Sequence, residues 1–323
     1  MGGRCPARTD RGTSPGHQPG EPAREAGAMH VAILGTGTMG AGMARSLRRA
    51  GLEVVAWNRS RDRALPLAGA GIAVADSVAH AAGAADVVIT MVFDEQAVLA
   101  IAPELLGALR PGAVWMQSAT VGPAGMAQVA AVAGTTPLLD TPVMGTKEPA
   151  ERGTLTVLAS GASGLVDQVR PVLDAIGSKT VYVGELIGRA SALKLAANAW
   201  IAALTAATAQ SLALAAALGT DGDLFLAAIE GTPADSPYAR LKGAAMGVGD
   251  YSPSFAVDGL LKDLDLARSA ARDAGVAPPL LDAITDLYRR ASSAGHGADD
   301  IAAVRTAFDP AGAPRWVRPP SAP

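Results

Sequence analysis

Cysteine is almost missing from this chain: Cys5 is the only one in 323 residues. One thiol cannot close an intramolecular disulfide or supply a zinc site built from several thiolates. The four histidines, His17, His30, His80 and His296, are scattered, which argues against a histidine-based metal cluster. Chemistry through neither a thiol nucleophile nor a metal is therefore expected. Aromatic residues are scarce (4%), and the 27 basic side chains are outnumbered by 30 acidic ones. A formal charge of −3 leaves no electrostatic footprint for nucleic acid. Residues 1–28 hold no apolar run of the kind a secretory signal needs, and Asp10, Glu21 and Glu25 count against a transit peptide. They read as a disordered leader, with Met29 as an alternative start, and the protein as cytoplasmic. What is plentiful is apolar: 49% of positions, enough over this length for two domains with cores of their own.

Positions 195–220 carry no charge, and that length would span a bilayer. The segment is mostly alanine, however, and includes Asn198, Thr205, Thr208, Gln210 and Ser211 without aromatic and basic anchors at both ends. It reads as a buried helix at the centre of a helical domain, not as a membrane span.

From Met29, apolar runs alternate with helical stretches, the signature of βαβ units on a parallel sheet. The runs are His30–Leu34, Glu53–Trp57, Asp86–Val92, Ala113–Gln117, Leu138–Val143, Leu155–Ala159 and Thr180–Val183. Helices are expected between them, among them Glu95–Leu99 and Gly164–Ala175. After about Gly188 the strand-like runs stop. Helices are then expected over Ser191–Leu218, Asp221–Glu230, Phe255–Ala274 and Leu280–Ala291, with breaks at Gly231–Pro233, Gly247–Pro253 and Gly275–Pro279. The expected division is a leader (1–28), an α/β domain (29–188), an all-α domain (189–308) and a disordered proline-rich tail (309–323). A helix of about 28 residues, roughly 42 Å long, would join the two domains.

Gly35-Thr36-Gly37-Thr38-Met39-Gly40 fits G-x-G-x-x-G. Alone the pattern is weak, but here a strand precedes it, a helix follows, and a second strand ends about 18 residues on. In a Rossmann-type doubly wound sheet Gly35 permits the tight turn, Gly37 admits the pyrophosphate, and Gly40 packs the helix closely. NAD-selective sites usually carry Asp or Glu at the end of the second strand. This chain has Asn58-Arg59-Ser60, and Arg59 could pair with a 2′-phosphate. The expected cofactor is NADP, NADPH being preferred over NADH.

A carbonyl reductase needs a proton donor, and no histidine lies in a suitable place. Lys194 is the candidate, at the entry to the long apolar helix, where burial would lower its pKa. Asn198 falls on the same helix face, four residues on. From spacing alone Lys194 reads rather as a helix-start lysine reaching water.

Strand–GTGTMG–helix, Asn58-Arg59, Asp140-Thr141-Pro142-Val143-Met144-Gly145-Thr146, Gly188…Lys194…Asn198 and Lys262-Asp263 occur in one order over about residues 29–305. In this the chain resembles the β-hydroxyacid dehydrogenases, 3-hydroxyisobutyrate dehydrogenase among them. The resemblance implies that Lys194 is the catalytic acid/base and that Asn198 orients it and the substrate. It also implies cofactor contacts from Thr120 and from the Met91-Val92 loop, and a second lysine, Lys262, at the nicotinamide end and the substrate. Without the resemblance, Lys262-Asp263 reads as a solvated pair. Val143–Glu151 is similar to the corresponding stretch of the glyoxylate/succinic semialdehyde reductase branch, which implies that Met144, Gly145 and Thr146 meet the substrate. Met144 stands where that branch carries a serine, which hints at a larger or less polar substrate group.

A small-molecule carbonyl substrate, an aldehyde- or keto-acid, is expected, and a homodimer formed through the α domain. Imine reductases share the implied fold but usually carry Asp or Tyr at the lysine position. A phosphogluconate dehydrogenase would continue differently after Lys194. A catalytically silent NADP-binding scaffold is the competing reading from another class.

Overall fold

The computed structural model describes residues 1–2 and 29–308. The rest of the expected leader and the expected tail, 309–323, lie outside the described residues.

Six short strands open the fold: β1 (His30–Leu34), β2 (Glu53–Trp57), β3 (Ala73–Val74), β4 (Val87–Thr90), β5 (Val114–Gln117) and β6 (Leu138–Asp140). They run parallel in the order 3-2-1-4-5-6, the order of a doubly wound dinucleotide-binding sheet. The helices α1 (Thr38–Arg49), α2 (Val78–Ala82), α3 (Glu95–Ala108) and α4 (Gly122–Ala133) make the crossovers. β4 and β5 are buried at every position because helices cover both faces. Alternation along β1 feeds two layers: Val31 and Ile33 pack with Met43 and Leu47 of α1, while Ala32 and Leu34 pack with Val98 and Leu105 of α3.

The sheet then turns back on itself. β7 (Val143–Met144) and β8 (Leu155–Ser160) bracket α5 (Lys147–Arg152), and β8 runs antiparallel to both β6 and β7. After α6 (Ser163–Gln168) and α7 (Arg170–Ile176), β9 (Gly177–Gly184) returns parallel to β8. The sheet is therefore mixed, not wholly parallel. The single helix expected over Gly164–Ala175 is two, because Pro171 has no N–H to continue the first and opens the second. The apolar run Leu138–Val143 likewise splits around Thr141–Pro142 into two strands of opposite pairing.

The second half is helical: α8 (Arg189–Ala217), α9 (Gly222–Ile229), α10 (Pro237–Val248), α11 (Val257–Asp273), α12 (Pro279–Ala291) and a 3₁₀ segment, Ile301–Phe308. α10 was not anticipated, although Ser236 caps it and Pro237 opens it. α8 has 29 residues, about 44 Å of helix, and packs on α4, α10, α11, α12 and the 3₁₀ segment. By length and composition it could cross a membrane, but Asn198, Thr205 and Thr208 are buried on its packed face. It is not buried all round as expected: Leu193, Trp200 and Leu214 remain exposed because its partners cover one side only.

Candidate active site

A cleft of about 450 Å³ opens at the carboxyl ends of β1, β2 and β4, where the strand order reverses. Its lining includes Gly35, Gly37, Thr38, Met39 and Gly40, then Asn58, Arg59 and Ser60, then Met91 and Val92. Two of the three glycines are demanded by the protein itself. A Cβ on Gly35 would lie 2.3 Å from the Met91 carbonyl oxygen, and one on Gly40 would lie 1.9 Å from that of Gly35. Gly37 is different: its φ is an ordinary −67°, and a Cβ there would meet nothing within 4 Å. Neither backbone nor packing needs glycine at this position, and the missing side chain leaves that face of the turn open to the cleft. Thr36 Oγ1 is buried without a hydrogen-bond partner among the described residues, and no side chain caps the first turn of α1. These features fit a dinucleotide whose pyrophosphate meets the helix N-terminus.

Asn58 braces this turn. Its Oδ1 accepts from the Thr36 N–H at 3.0 Å, and its Nδ2 donates to the Ser60 carbonyl at 2.9 Å. Of the nearby arginines, Arg61 is held by Asp76 at 2.7 Å. Arg59 is exposed, lines the cleft, and has no ion pair among the described residues. Arg63 lines the same wall.

Helices α8 and α11 bring a polar cluster together. Lys194 and Asn198 stand on successive turns of α8. Asn198 Nδ2 donates to Asp263 Oδ2 at 2.6 Å, and Lys262 Nζ pairs with Asp263 Oδ1 at 2.7 Å. Lys262 Nζ also donates to the Thr120 carbonyl at 2.7 Å and lies 5.6 Å from the centre of the Phe93 ring. It thereby ties the helical half to the loops after β4 and β5. Lys194 is half-buried and makes no hydrogen bond among the described residues. Burial lowers its pKa from 10.5 to about 8; Asp263 opposes that fall and the Lys262 ammonium adds to it. Burial also raises the Asp263 carboxyl, although Lys262, Lys194 and Asn198 pull the other way.

Of the residues singled out from the sequence, Lys194, Asn198, Lys262 and Thr120 meet here, and the glycine turn, Asn58–Ser60 and Met91–Val92 meet in the cleft. Met144 ends β7, and Gly145 and Thr146 link it to α5; the three make no hydrogen bond to Lys194 or Asn198 among the described residues. Lys262-Asp263 is not the solvated pair that local sequence suggested: Asp263 is 4% exposed. Its signal was present, since it falls among Leu260, Leu264 and Ala267 on the apolar stripe of α11. Phe93, 61% exposed on the cleft wall, had no such signal. Among the described residues, no group of three or more His, Cys, Asp or Glu could hold a metal.

Residues 30–184 match the family model for the NAD-binding domain of 6-phosphogluconate dehydrogenase. Residues 188–307 match the model described as NAD-binding of NADP-dependent 3-hydroxyisobutyrate dehydrogenase. The chloroplastic glyoxylate/succinic semialdehyde reductase 2 of Arabidopsis thaliana is 30% identical over 87% of this chain and 79% of its own. The NAD-dependent L-serine dehydrogenase of Pseudomonas aeruginosa is 29% identical over 87% of this chain and 98% of its own. Among solved structures, a 3-hydroxyisobutyrate dehydrogenase from Salmonella typhimurium superposes with a TM-score of 0.79 at 30% identity, covering 86% of this chain and 99% of that one. The chain belongs to the 3-hydroxyisobutyrate dehydrogenase-like family of β-hydroxyacid dehydrogenases, and is an NAD(P)-dependent oxidoreductase acting between CH–OH and carbonyl groups.

Proposed function

We propose that the protein is a cytoplasmic, NADPH-dependent reductase of small aldehyde- or keto-acids, reversible as a hydroxyacid dehydrogenase, with Lys194 as its proton donor. The observation that carries this reading is the cluster of two lysines and one carboxylate beside the dinucleotide cleft. A lysine that gives up its proton near pH 8 is a competent general acid for a carbonyl oxygen gaining charge. A bound nicotinamide supplies the hydride. Asn198, held by Asp263, orients the substrate beside Lys194. The two ammonium groups around one carboxylate create a positive field suited to an acid substrate. Met144, Gly145 and Thr146 are assigned to the substrate's far end.

Arg59, free at the cleft edge beside Ser60, supports NADPH over NADH, since no carboxylate ends β2. We divide the chain into a cofactor domain (29–188) and a substrate domain (189–308). Trp200, 67% exposed on α8, with Leu214 and Leu218 further along, supports a homodimer through the second of these.

The test is NADPH oxidation with glyoxylate, succinic semialdehyde, 2-methyl-3-oxopropanoate and larger aldehyde acids. At least one acid should turn over. Binding of NADPH with no turnover would favour a silent NADP-binding scaffold instead. Arg59→Ala should weaken NADPH binding by about tenfold or more and leave NADH unchanged, as loss of a charge-assisted hydrogen bond requires. Equal use of both cofactors, insensitive to that change, would remove Arg59 from the cofactor site.

A further inference from the structure

Asp140 ends β6 and is 0% exposed, and the chemistry proposed above does not use it. Among the described residues no cation pairs with it. Its oxygens are met by donors alone. Oδ2 accepts from the N–H groups of Gly188 (3.1 Å) and Ser191 (2.9 Å) and from the Ser160 hydroxyl (3.1 Å). Oδ1 accepts from the Ser191 hydroxyl at 2.7 Å. Ser160 in turn accepts from the Ala190 N–H at 3.1 Å. Asp140 and Ser160 together thus satisfy three backbone N–H groups at the start of α8.

Most other side-chain caps among the described residues are local, although Glu104 of α3 also accepts from the Ala79 N–H in the first turn of α2 at 2.9 Å. Ser77, Asp94, Asp221 and Ser236 each cap the helix that they immediately precede. The residue before α8 is Gly188, which has no side chain to offer. Its cap comes instead from the sheet, about fifty residues earlier in the chain. A local cap only ends a helix, whereas a cap from another element fixes the helix in place. A buried carboxylate is costly unless its hydrogen bonds are complete. Here four hydrogen bonds and the dipole of a long helix at its N-terminus favour the negative charge, although burial still holds the Asp140 carboxyl above its usual range.

The anchored face is also the informative one. Ser191, Lys194 and Asn198 stand at i, i+3 and i+7, on one side of α8. Lys194 lies roughly 4.5 Å along the axis from the Ser191 anchor. Four residues after Asp140 the same strand path reaches Met144.

We propose that Asp140 is a positioning residue for Lys194: by docking the first turn of α8 onto the end of β6, it sets the height and rotation of Lys194 over the dinucleotide cleft. The proposal rests on the reading of Lys194 as proton donor only for its consequence in turnover, because the position of the amine can be read without activity.

The experiment compares the full chain with Ser191→Ala, Ser160→Ala and Asp140→Asn, using Ser77→Ala as a cap removed far from the site. Four quantities are measured: kcat, the NADPH Kd, Tm, and the pH midpoint for amine labelling of Lys194 read by mass spectrometry. Ser191→Ala and Ser160→Ala keep the carboxylate and each remove one hydroxyl. Each should lower kcat by about tenfold, as sub-ångström misplacement of a reacting group does, with NADPH Kd within about twofold. Each should raise the Lys194 labelling midpoint from about 8 toward the ordinary lysine value, as the loosened amine gains water. Ser77→Ala should lower Tm and move neither quantity. Asp140→Asn turns an amide donor toward N–H donors and should lower kcat by about a hundredfold; should it fail to fold, the two serine variants carry the test. The proposal is overturned if both serine variants behave like Ser77→Ala, losing Tm but keeping kcat and the labelling midpoint. If the midpoint moves while Lys194→Ala stays fully active, the positioning stands and the proton-donor reading falls. If the midpoint is fixed while Lys194→Ala is inactive, the reverse holds.

Discussion

The helical half of the molecule contains two lysine–aspartate centres, and they are built to different rules. In the first, Lys242 is 4% exposed and donates to Asp300 Oδ1 at 2.7 Å and to the Ser254 hydroxyl at 3.2 Å. Asp300 also accepts from the N–H groups of Ser254, Phe255 and Ala302 and from the Ser254 hydroxyl. Burial pushes the Asp300 carboxyl up, but Lys242 and these donors outweigh it and hold it below the usual carboxylate range. In the second centre, Asp263 pairs with Lys262 and accepts from Asn198, and Lys194 feels its charge without an ion pair to it among the described residues. There burial wins, and the Asp263 carboxyl stays raised. One charge matched by one countercharge, with every lone pair occupied, makes a structural joint. Burial, with a second ammonium nearby and one carboxylate only partly opposing it, leaves an amine ready to part with its proton, the arrangement a reactive site uses.

The sharpest way to break this contrast is to remove one lysine from each centre. Lys194→Met should lower kcat by about a thousandfold, the loss expected for a missing general acid, with the fold intact by circular dichroism. Lys242→Met should do the opposite. It leaves Asp300 buried without its cation, which costs about 3–5 kcal/mol, and should lower Tm by roughly 10 °C with kcat of the folded enzyme retained. Equal effects on both quantities in both variants would erase the distinction.

Much of this arrangement was legible in the residues, and its limits have physical causes. The glycine turn declares itself because strand, turn and helix are contiguous; helical spacing puts Lys194 and Asn198 on one face, but only the resemblance singles them out. The burial of Asp263 is hinted at by its place on the apolar stripe of α11, but its partners are not: Asn198 lies 65 positions away, and the Thr120 carbonyl that Lys262 reaches lies 142 positions from that lysine. Local sequence carries no record of such contacts. The resemblance implies Lys262, but only the fold shows that its ammonium pairs with Asp263 while Lys194 lies within reach of the same charge. α10 carries two glycines of low helix propensity, Gly243 and Gly247, and tertiary packing explains the first: it lies so close to Leu226 that an added Cβ would meet it at 2.9 Å. The split at Pro171 and the antiparallel return of β8 are likewise decided by tertiary pairing.

A smaller effect separates the centres by pH. The Lys194 pKa in the folded chain, about 8, lies below its ordinary 10.5. Between those values the unfolded chain holds the proton and the folded chain does not, so this group makes stability rise with pH across that window. Below about pH 8 its full penalty is present. Lys194→Met should therefore melt higher than the parent at pH 7, and the gap should narrow as pH approaches 10. A gap independent of pH would mean that Lys194 is not desolvated in the fold.

Asp263→Asn sharpens the same point by kinetics. Asp263 is the group that holds the Lys194 pKa up, against burial and Lys262. Without its charge the basic limb of the kcat–pH profile should move below 8, and kcat at pH 8 should fall while that at pH 6 falls less. A limb that stays in place would show that Lys194 does not sense Asp263.

The smallest expected effect follows from how many donors each carboxylate has. Ser254→Ala takes away one of five hydrogen bonds to Asp300, and Lys242 and three backbone N–H groups remain. The cost should be about 1 kcal/mol, a few degrees in Tm, with no change in kcat or its pH profile. Asn198→Ala takes away one of only two partners of Asp263, on the helix face that carries Lys194, so it should register in kcat more than in Tm. A centre with redundant donors absorbs a deletion as stability, whereas one with a single partner on each oxygen passes it on to the lysine beside it.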